Sequence, residues 1–279
     1  MSLNRIVFWF ASPPRADALA RRLIRPLSWL ALALAVPGLW LGFVVTPADA
    51  VQGEGYRLIY LHVPASWLAM FCYAMLALWS AVGLVWRTRL SFVMAQALRP
   101  SAALWAALSL ASGALWGRPM WGSWWVWDAR LTSSLLLLLL VLGQLALQRA
   151  HDDPERADRS TALLAVLGAL NLPVIYFSVQ WWNTLHQGAT ITSSGARMAT
   201  PMLVALLLCS AAAWAWTAAV VLRRFRLRLA ARQRASHWLD ALRGQASGPG
   251  PAVSAMAASA AAPLGRASHH TVHGAPGHA

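Results

Sequence analysis

The sequence predicts an all-α, polytopic membrane protein with six transmembrane helices and both termini in the cytoplasm. Composition carries the first part: 58% of the 279 residues are hydrophobic and 11% charged, with a mean hydropathy of +0.51. No single water-soluble core hides that much apolar surface. Spacing gives the helix count. Apolar stretches free of acids and bases fall at about 29–46, 65–86, 100–117, 131–148, 161–179 and 202–222, each close to the length that crosses a bilayer. Arginine sets the orientation. The chain has no lysine, and 19 of its 23 basic residues lie in segments 1–28, 87–99, 149–160 and 223–279. By the positive-inside rule these segments face the cytoplasm, and the loops between them face out.

Residues 1–28 form the cytoplasmic N-terminal segment and 29–222 the membrane domain. Arg21, Arg22 and Arg25, an apolar run, and Ala48-Asp49-Ala50 imitate a cleavable signal peptide. The run from Trp29 to Thr46 exceeds the usual apolar region of such a peptide, so an uncleaved first helix is expected. The first outer loop, 47–64, carries His62 in YLHVPASW, two residues before the proline expected to open the second helix. The third span is short, and Leu90–Leu98 before it and the tryptophans after it extend it into the interface. The second outer loop, 118–130, leads into WGSWWVWDARLT at 121–132. The third, 180–201, carries His186 in QWWNTLHQG, just past the fifth span.

Beyond the sixth span, residues 223–279 combine a basic segment with a tail. RRFRLRLAARQR at 223–234 is a cytoplasmic stop suited to anionic lipid or a cytosolic partner. Gly, Pro, Ala and Ser with His269, His270, His273 and His278 then make a disordered tail in which no core can be built. Cys72 and Cys209 fall inside spans, with no CxxC anywhere, and read as small buried apolar residues. Gln144 and Asn171 are the notable intramembrane polar groups, suited to interhelical hydrogen bonds. His151 and His237 lie among charged residues on the inner side and are expected to face water.

The remaining histidines, His62 and His186, emerge on the same side as the tryptophan loop. An indole offers a flat face and one N–H donor, so Trp121, Trp124, Trp125 and Trp127 suit a planar, mostly apolar ligand with a polar edge. On a helix, positions 121, 124, 125 and 128 share one face. A plain interfacial belt of aromatics is the alternative. Two imidazoles beside such a wall point to haem, whose iron takes axial ligands from both faces of the ring. Zinc fits less well, because Asp49, Glu54 and Asp128 are the only carboxylates on that side. Arg130 and Arg118 are candidate partners for anionic haem propionates, or simple interfacial anchors. Asp128 is expected to orient the loop by accepting from indole or backbone N–H groups.

WGSWWVWDARLT resembles the WWD signature of membrane proteins that handle haem in c-type cytochrome assembly. With six spans and one histidine in each of YLHVPASW and WWNTLHQ, residues from about 20 to 225 resemble the CcmC family, protein C of the bacterial cytochrome c maturation system. The resemblance implies haem b held at the periplasmic face of the inner membrane, with His62 and His186 as axial ligands and Trp121–Arg130 as the haem-facing loop. It also implies delivery to a membrane-anchored periplasmic haem chaperone, protein E of the same system. ABC-transporter subunits A and B and the small membrane protein D are the further partners implied. The His-rich tail is not part of that pattern.

Several other classes fit poorly. A chain without lysine has no Walker A motif, so it drives nothing by its own ATP hydrolysis. It reads as a haem-handling protein and not an enzyme, although promotion of covalent haem attachment to the chaperone suits the same site. The pI of 11.6 reflects arginines dispersed at span ends without a reader motif, so nucleic acid is not expected. Spans without Asp, Glu, Arg or His speak against an ion-coupled pathway. Two alternatives stay open: a transporter moving haem or another small molecule through the bundle, and a membrane scaffold that binds no ligand.

Overall fold

The structure is a computed structural model that describes residues 12–182, 184, 186, 188, 191, 192 and 195–247, with backbone alone for 192 and 235–247. Residues 1–11 of the N-terminal segment and the histidines of the tail lie outside the described residues. The chain divides into two compact units between Ala231 and Arg232; the elements discussed below belong to the first, except the last helix, whose C-terminal part lies in the second.

Helix α1 spans Pro13–Trp40 and closes in a π-helical turn, Leu41–Val45. Pro13 sits in the first turn, where a missing N–H costs no helical bond. A 3-10 turn, Glu54–Leu58, leads into α2, Ile59–Trp86. This helix opens at Ile59 and not at Pro64 as the sequence suggested. Pro64 is accommodated in the second turn, where its fixed φ is already helical and only the carbonyl one turn back loses its partner. Arg87, at φ 52°, reverses the chain into α3, Arg89–Trp121. Then follow α4, Ala129–Ala150, and the fifth hydrophobic stretch, split into α5, Pro154–Gly168, and α6, Asn171–Trp181. Pro173 explains the split. It has no N–H to donate back to residue 169 and is tolerated only in the first turn of a new helix. A two-residue hairpin, β1 Ile191–Thr192 against β2 Gly195–Ala196, precedes α7, Thr200–Ser247.

The helix that holds the sixth span thus continues through the basic segment to Ser247, so the first part of the tail expected to be disordered beyond Arg234 is helical. Residues 235–247 contain neither glycine nor proline except Gly244, and the Gly/Pro-rich composition begins only at Gly248.

Among the described residues, five helical stretches are long and apolar enough to cross a membrane: Pro13–Val45, Glu54–Trp86, Ala129–Ala150, Pro154–Trp181 and Thr200–Arg234. The protein is thus a multi-pass, all-helical membrane protein. The expected span at 100–117 lies in α3, which has 33 residues but carries Arg99, Arg118, two prolines and several serines and glycines. It makes its broadest contact with α2 and further contacts with α4 and α5. A helix wrapped by others needs less hydrocarbon on its surface than one facing lipid.

Several polar groups inside the bundle are paired between helices. Gln144 Nε2 on α4 donates to Tyr73 Oη on α2 at 3.3 Å, and Asn171 Nδ2 on α6 donates to the Ser133 carbonyl on α4 at 2.8 Å. Trp105 Nε1 on α3 donates to Thr217 Oγ1 on α7 at 2.8 Å. Toward the predicted inner ends sits a network that the sequence did not reveal. Arg99, buried on α3, donates to Gln148 on α4 and to Thr161 Oγ1 on α5, while Gln96 Nε2 donates to buried Asp158 on α5 at 2.6 Å. His151, expected only to face water, lies near Ser160 Oγ at 3.3 Å and is held at the Leu147 carbonyl. It joins the end of α4 to α5. Cys72 and Cys209 are free and buried, and the side chain of His237 lies outside the described residues.

Candidate functional site

The N-terminal ends of α2 and α4 and the C-terminal end of α3 surround a cleft of about 1160 Å³, a volume that takes in space open to solvent, with walls that are mostly apolar. Three local devices build it. First, α2 presents His62, Ser66, Ala69 and Met70 along one face at helical spacing. Second, α3 presents Ser109, Gly113 and Trp116 at the same periodicity, and its small residues let the two helices approach. Third, the tryptophan loop, which joins α3 to α4, lines the cavity's end and is tied at both ends by caps.

Those caps decide the shape of the loop. Gly122, at φ 74°, ends α3 with its N–H on the Arg118 carbonyl at 3.0 Å, a conformation that favours glycine. Asp128 begins α4 as its N-cap, with Oδ1 accepting from the Leu131 N–H at 2.7 Å. Between the caps the chain is not helical, so the single helical face expected through Trp121, Trp124, Trp125 and Asp128 is not formed. Ser123 holds the loop instead: its Oγ donates to the Trp125 carbonyl at 2.8 Å. Of the indole and backbone N–H groups expected to meet Asp128, its Oδ1 takes that of Leu131, in the first turn of α4.

Seven of the nine residues singled out from sequence line this one cavity: His62, His186, Trp121, Trp124, Trp125, Asp128 and Arg130. The other two stand apart. Trp127 is 75% exposed and meets Trp125 edge to face, with ring centres 5.4 Å apart. Arg118 donates to the Gly122 carbonyl and so braces the cap, away from the cavity lining.

The two imidazoles are neighbours, with ring centres 6.2 Å apart and planes inclined at 38°. Imidazoles that share one metal ion from opposite sides, through bonds of about 2 Å, have ring centres roughly 6 Å apart. His62 is also fixed in orientation. Its Nδ1 lies 3.1 Å from the Ser109 carbonyl and 3.1 Å from Ser112 Oγ. A carbonyl only accepts, so Nδ1 carries the proton and Nε2 keeps the lone pair a metal needs. Among the described residues, no group of three or more His, Cys, Asp or Glu is gathered for a metal ion. An ion bound only by protein groups would therefore be short of ligands here, whereas haem iron brings four of its own.

Two polar atoms in the cavity wall support the same fit. Among the described residues, Trp125 Nε1 and Asp128 Oδ2 are buried without a hydrogen-bond partner. Buried polar groups are nearly always paired, so an unpaired donor and acceptor beside an open cavity suit a ligand with polar edges. Porphyrin carboxylates beside Arg130 and the Trp125 N–H meet that description; Asp128 Oδ2 repels a carboxylate and suits a donor.

Sequence reasoning missed Trp116, Gln52 and the serines of the helix faces. Trp116 lies edge-on to His62, with ring centres 5.7 Å apart and planes at 76°, and its Nε1 donates to Gln52 Oε1 at 3.1 Å. The signal was available: Ser109, Ser112, Gly113 and Trp116 recur at spacings of three, one and three, a small-residue stripe along one helix face.

Comparison with known proteins adds an independent finding. Residues 6–240 match the family model CcmC, described as Heme exporter protein C. The chain is 47% identical over 184 residues to Heme exporter protein C of Escherichia coli (strain K12), covering 64% of this chain and 74% of the relative. It is 39% identical over 234 residues to Heme exporter protein C of Haemophilus influenzae, covering 84% of this chain and 95% of the relative. It is also 38% identical over 180 residues to a ccmC-like mitochondrial protein of cytochrome c biosynthesis in Marchantia polymorpha, covering 64% of this chain and 75% of the relative.

Proposed function

Because the chain belongs to the CcmC, Heme exporter protein C, family, we propose that it binds haem at the periplasmic face of the bacterial inner membrane. It delivers that haem to a membrane-anchored haem chaperone for c-type cytochrome biogenesis. The observation that carries this reading is the pairing of His62 and His186 across one apolar, tryptophan-walled cavity. Haem b is the cargo. Its iron is held by the two imidazoles, its face by Trp121, Trp124 and Trp125, and a propionate by Arg130.

The arginine distribution supports six spans, with α3 as the third, both termini in the cytoplasm and the cavity facing the periplasm. The chaperone, protein E, then approaches from outside, where Trp127 is most exposed. Protein D and the transporter subunits A and B complete the assembly. This chain has no lysine and so no nucleotide-hydrolysing loop of the Walker type; energy for the cycle comes from a partner.

The test is one set of spectra. Protein purified from haem-replete cells carries a Soret band, and His62→Ala and His186→Ala each weaken haem retention and convert the low-spin signal. A colourless wild type, or a band indifferent to both substitutions, overturns the reading. Haem retained with transfer to the chaperone lost on changing Trp127 assigns that side chain to hand-over.

A further inference from the structure

The turn at residues 49–53 reaches the cavity through Gln52. Asp49 Oδ1 accepts from the N–H groups of Val51 at 2.9 Å and Gln52 at 2.8 Å, and Asp49 and Gly53 exchange both backbone hydrogen bonds. Gly53, at φ 55° and ψ −142°, occupies a region open essentially to glycine alone. The turn is thus tightly specified, and Gln52 is the residue it points at the bundle. Gln52 Oε1 accepts from Trp116 Nε1 at 3.1 Å. Trp116 in turn packs its ring edge-on to His62, centre to centre 5.7 Å.

We propose that Gln52 is a positioning residue for the His62 ligand, acting through Trp116: the Gln52–Trp116 hydrogen bond sets the indole plane, and the indole sets the rotation of the imidazole. The inference rests on the reading of His62 as an axial ligand and adds to it a loop that no part of that reading uses.

The chemistry favours this role over simple packing. An indole N–H is only a donor, and in a mostly apolar wall it has few places to go. Gln52 fixes one orientation of the ring out of two roughly equivalent flips. His62 is then held on three sides: at Nδ1 by the Ser109 carbonyl and Ser112, beneath by Gly113, and laterally by Trp116. Removing the lateral contact leaves the Nδ1 hydrogen bonds intact but frees the ring to turn about them. Ligand identity stays the same while ligand orientation changes.

The experiment uses full-length protein purified with haem, in wild-type form and as Gln52→Ala, Gln52→Glu, Trp116→Phe and the Gln52→Ala/Trp116→Phe pair. Two signals are read: the ferric low-spin electron paramagnetic resonance spectrum, whose g-values follow the relative orientation of the axial imidazole planes, and the rate of haem loss to an excess of haem-free globin. Gln52→Ala and Trp116→Phe each keep a low-spin spectrum but shift its g-values, and each speeds haem loss by about tenfold, the size of a lost outer-shell contact to a ligand. The pair behaves like Trp116→Phe alone, because the two residues act in series. Gln52→Glu, which keeps an acceptor oxygen at the same reach, restores the wild-type spectrum. A silent Gln52→Ala, or additive effects in the pair, overturns the inference.

Failure of the underlying reading looks different. If haem loss and spectrum are indifferent to His62→Ala, His62 is not the ligand and the positioning role falls with it. Hydrogen exchange of residues 46–58 in the haem-free protein then still reports whether Gln52 anchors the loop. Unchanged exchange in Gln52→Ala shows that the Gln52–Trp116 bond does not hold the loop in solution.

Discussion

Gly113→Ala isolates the orientation of His62 from its identity. A Cβ at Gly113 would lie 3.0 Å from His62 Cε1 and 3.5 Å from its Nδ1. Ordinary carbon–carbon contact begins near about 3.5 Å, so the imidazole must retreat by roughly half an ångström. Its Nδ1 bonds to Ser109 O and Ser112 Oγ are 3.1 Å long, and that retreat takes them to about 3.6 Å, beyond useful hydrogen bonding. Loss of an outer-shell bond to a ligating histidine costs about 10- to 100-fold in metal affinity, or roughly 1.4 to 2.8 kcal/mol. The assay is haem titration of the purified apo-protein, followed at the Soret maximum. Helix propensity works the other way, since alanine in a helix interior is favoured over glycine by about 1 kcal/mol, so lost binding does not reflect lost folding. Gly143→Ala is the control: its nearest neighbour is Leu164 Cδ2 at 3.8 Å, an ordinary contact, and haem affinity should not change. Wild-type affinity in Gly113→Ala would refute the claim that the α2–α3 contact orients the ligand.

Three further predictions follow from the site and its frame. Trp125→Phe removes a buried donor that has no partner among the described residues, so apo thermal stability stays the same or rises while haem affinity falls by up to about tenfold; a parallel fall in both would show that the indole N–H is used internally. Asp128→Asn keeps a good N-cap and leaves apo stability within about 0.5 kcal/mol, whereas Asp128→Ala costs about 1 kcal/mol and loosens the loop, read as faster proteolysis between the caps; equal effects of the two would discard the capping role. Arg99→Leu strands Gln148, Thr161 and their neighbours in the interior and costs roughly 3 kcal/mol, read as a lower melting temperature and lower yield in detergent. The haem spectrum of whatever folds should be unchanged, because the network lies away from the cavity; a shifted Soret maximum would contradict that separation.

Much of the frame was legible in the sequence because lipid makes a simple demand. Every spanning segment must be long, apolar and helical, and each of those properties is local. The histidines and tryptophans were legible for a related reason: they are chemically conspicuous residues at span ends. Arg99 and Asp158 were not, since each falls just outside an apolar run and looks like a solvated loop charge until another helix covers it. Trp116 and Gln52 were hidden differently, because a tryptophan inside a span reads as hydrocarbon and a glutamine in a loop as solvent.

By itself the sequence determined that this is a multi-pass helical protein and that its conspicuous histidines and tryptophans fall at the ends of apolar segments. Only the tertiary structure decided that Trp121, Trp124 and Trp125 face the cavity while Trp127 does not, because Gly122 and Asp128 cap two helices and leave no helix between them. Only it brought His62 within 6.2 Å of His186 and clamped it between Ser109, Gly113 and Trp116. Periodicity along a chain reports which face of a helix is apolar. Which side chain on the next helix meets that face depends on how closely the two backbones approach, and small residues at the contact, silent in any hydropathy profile, set that distance.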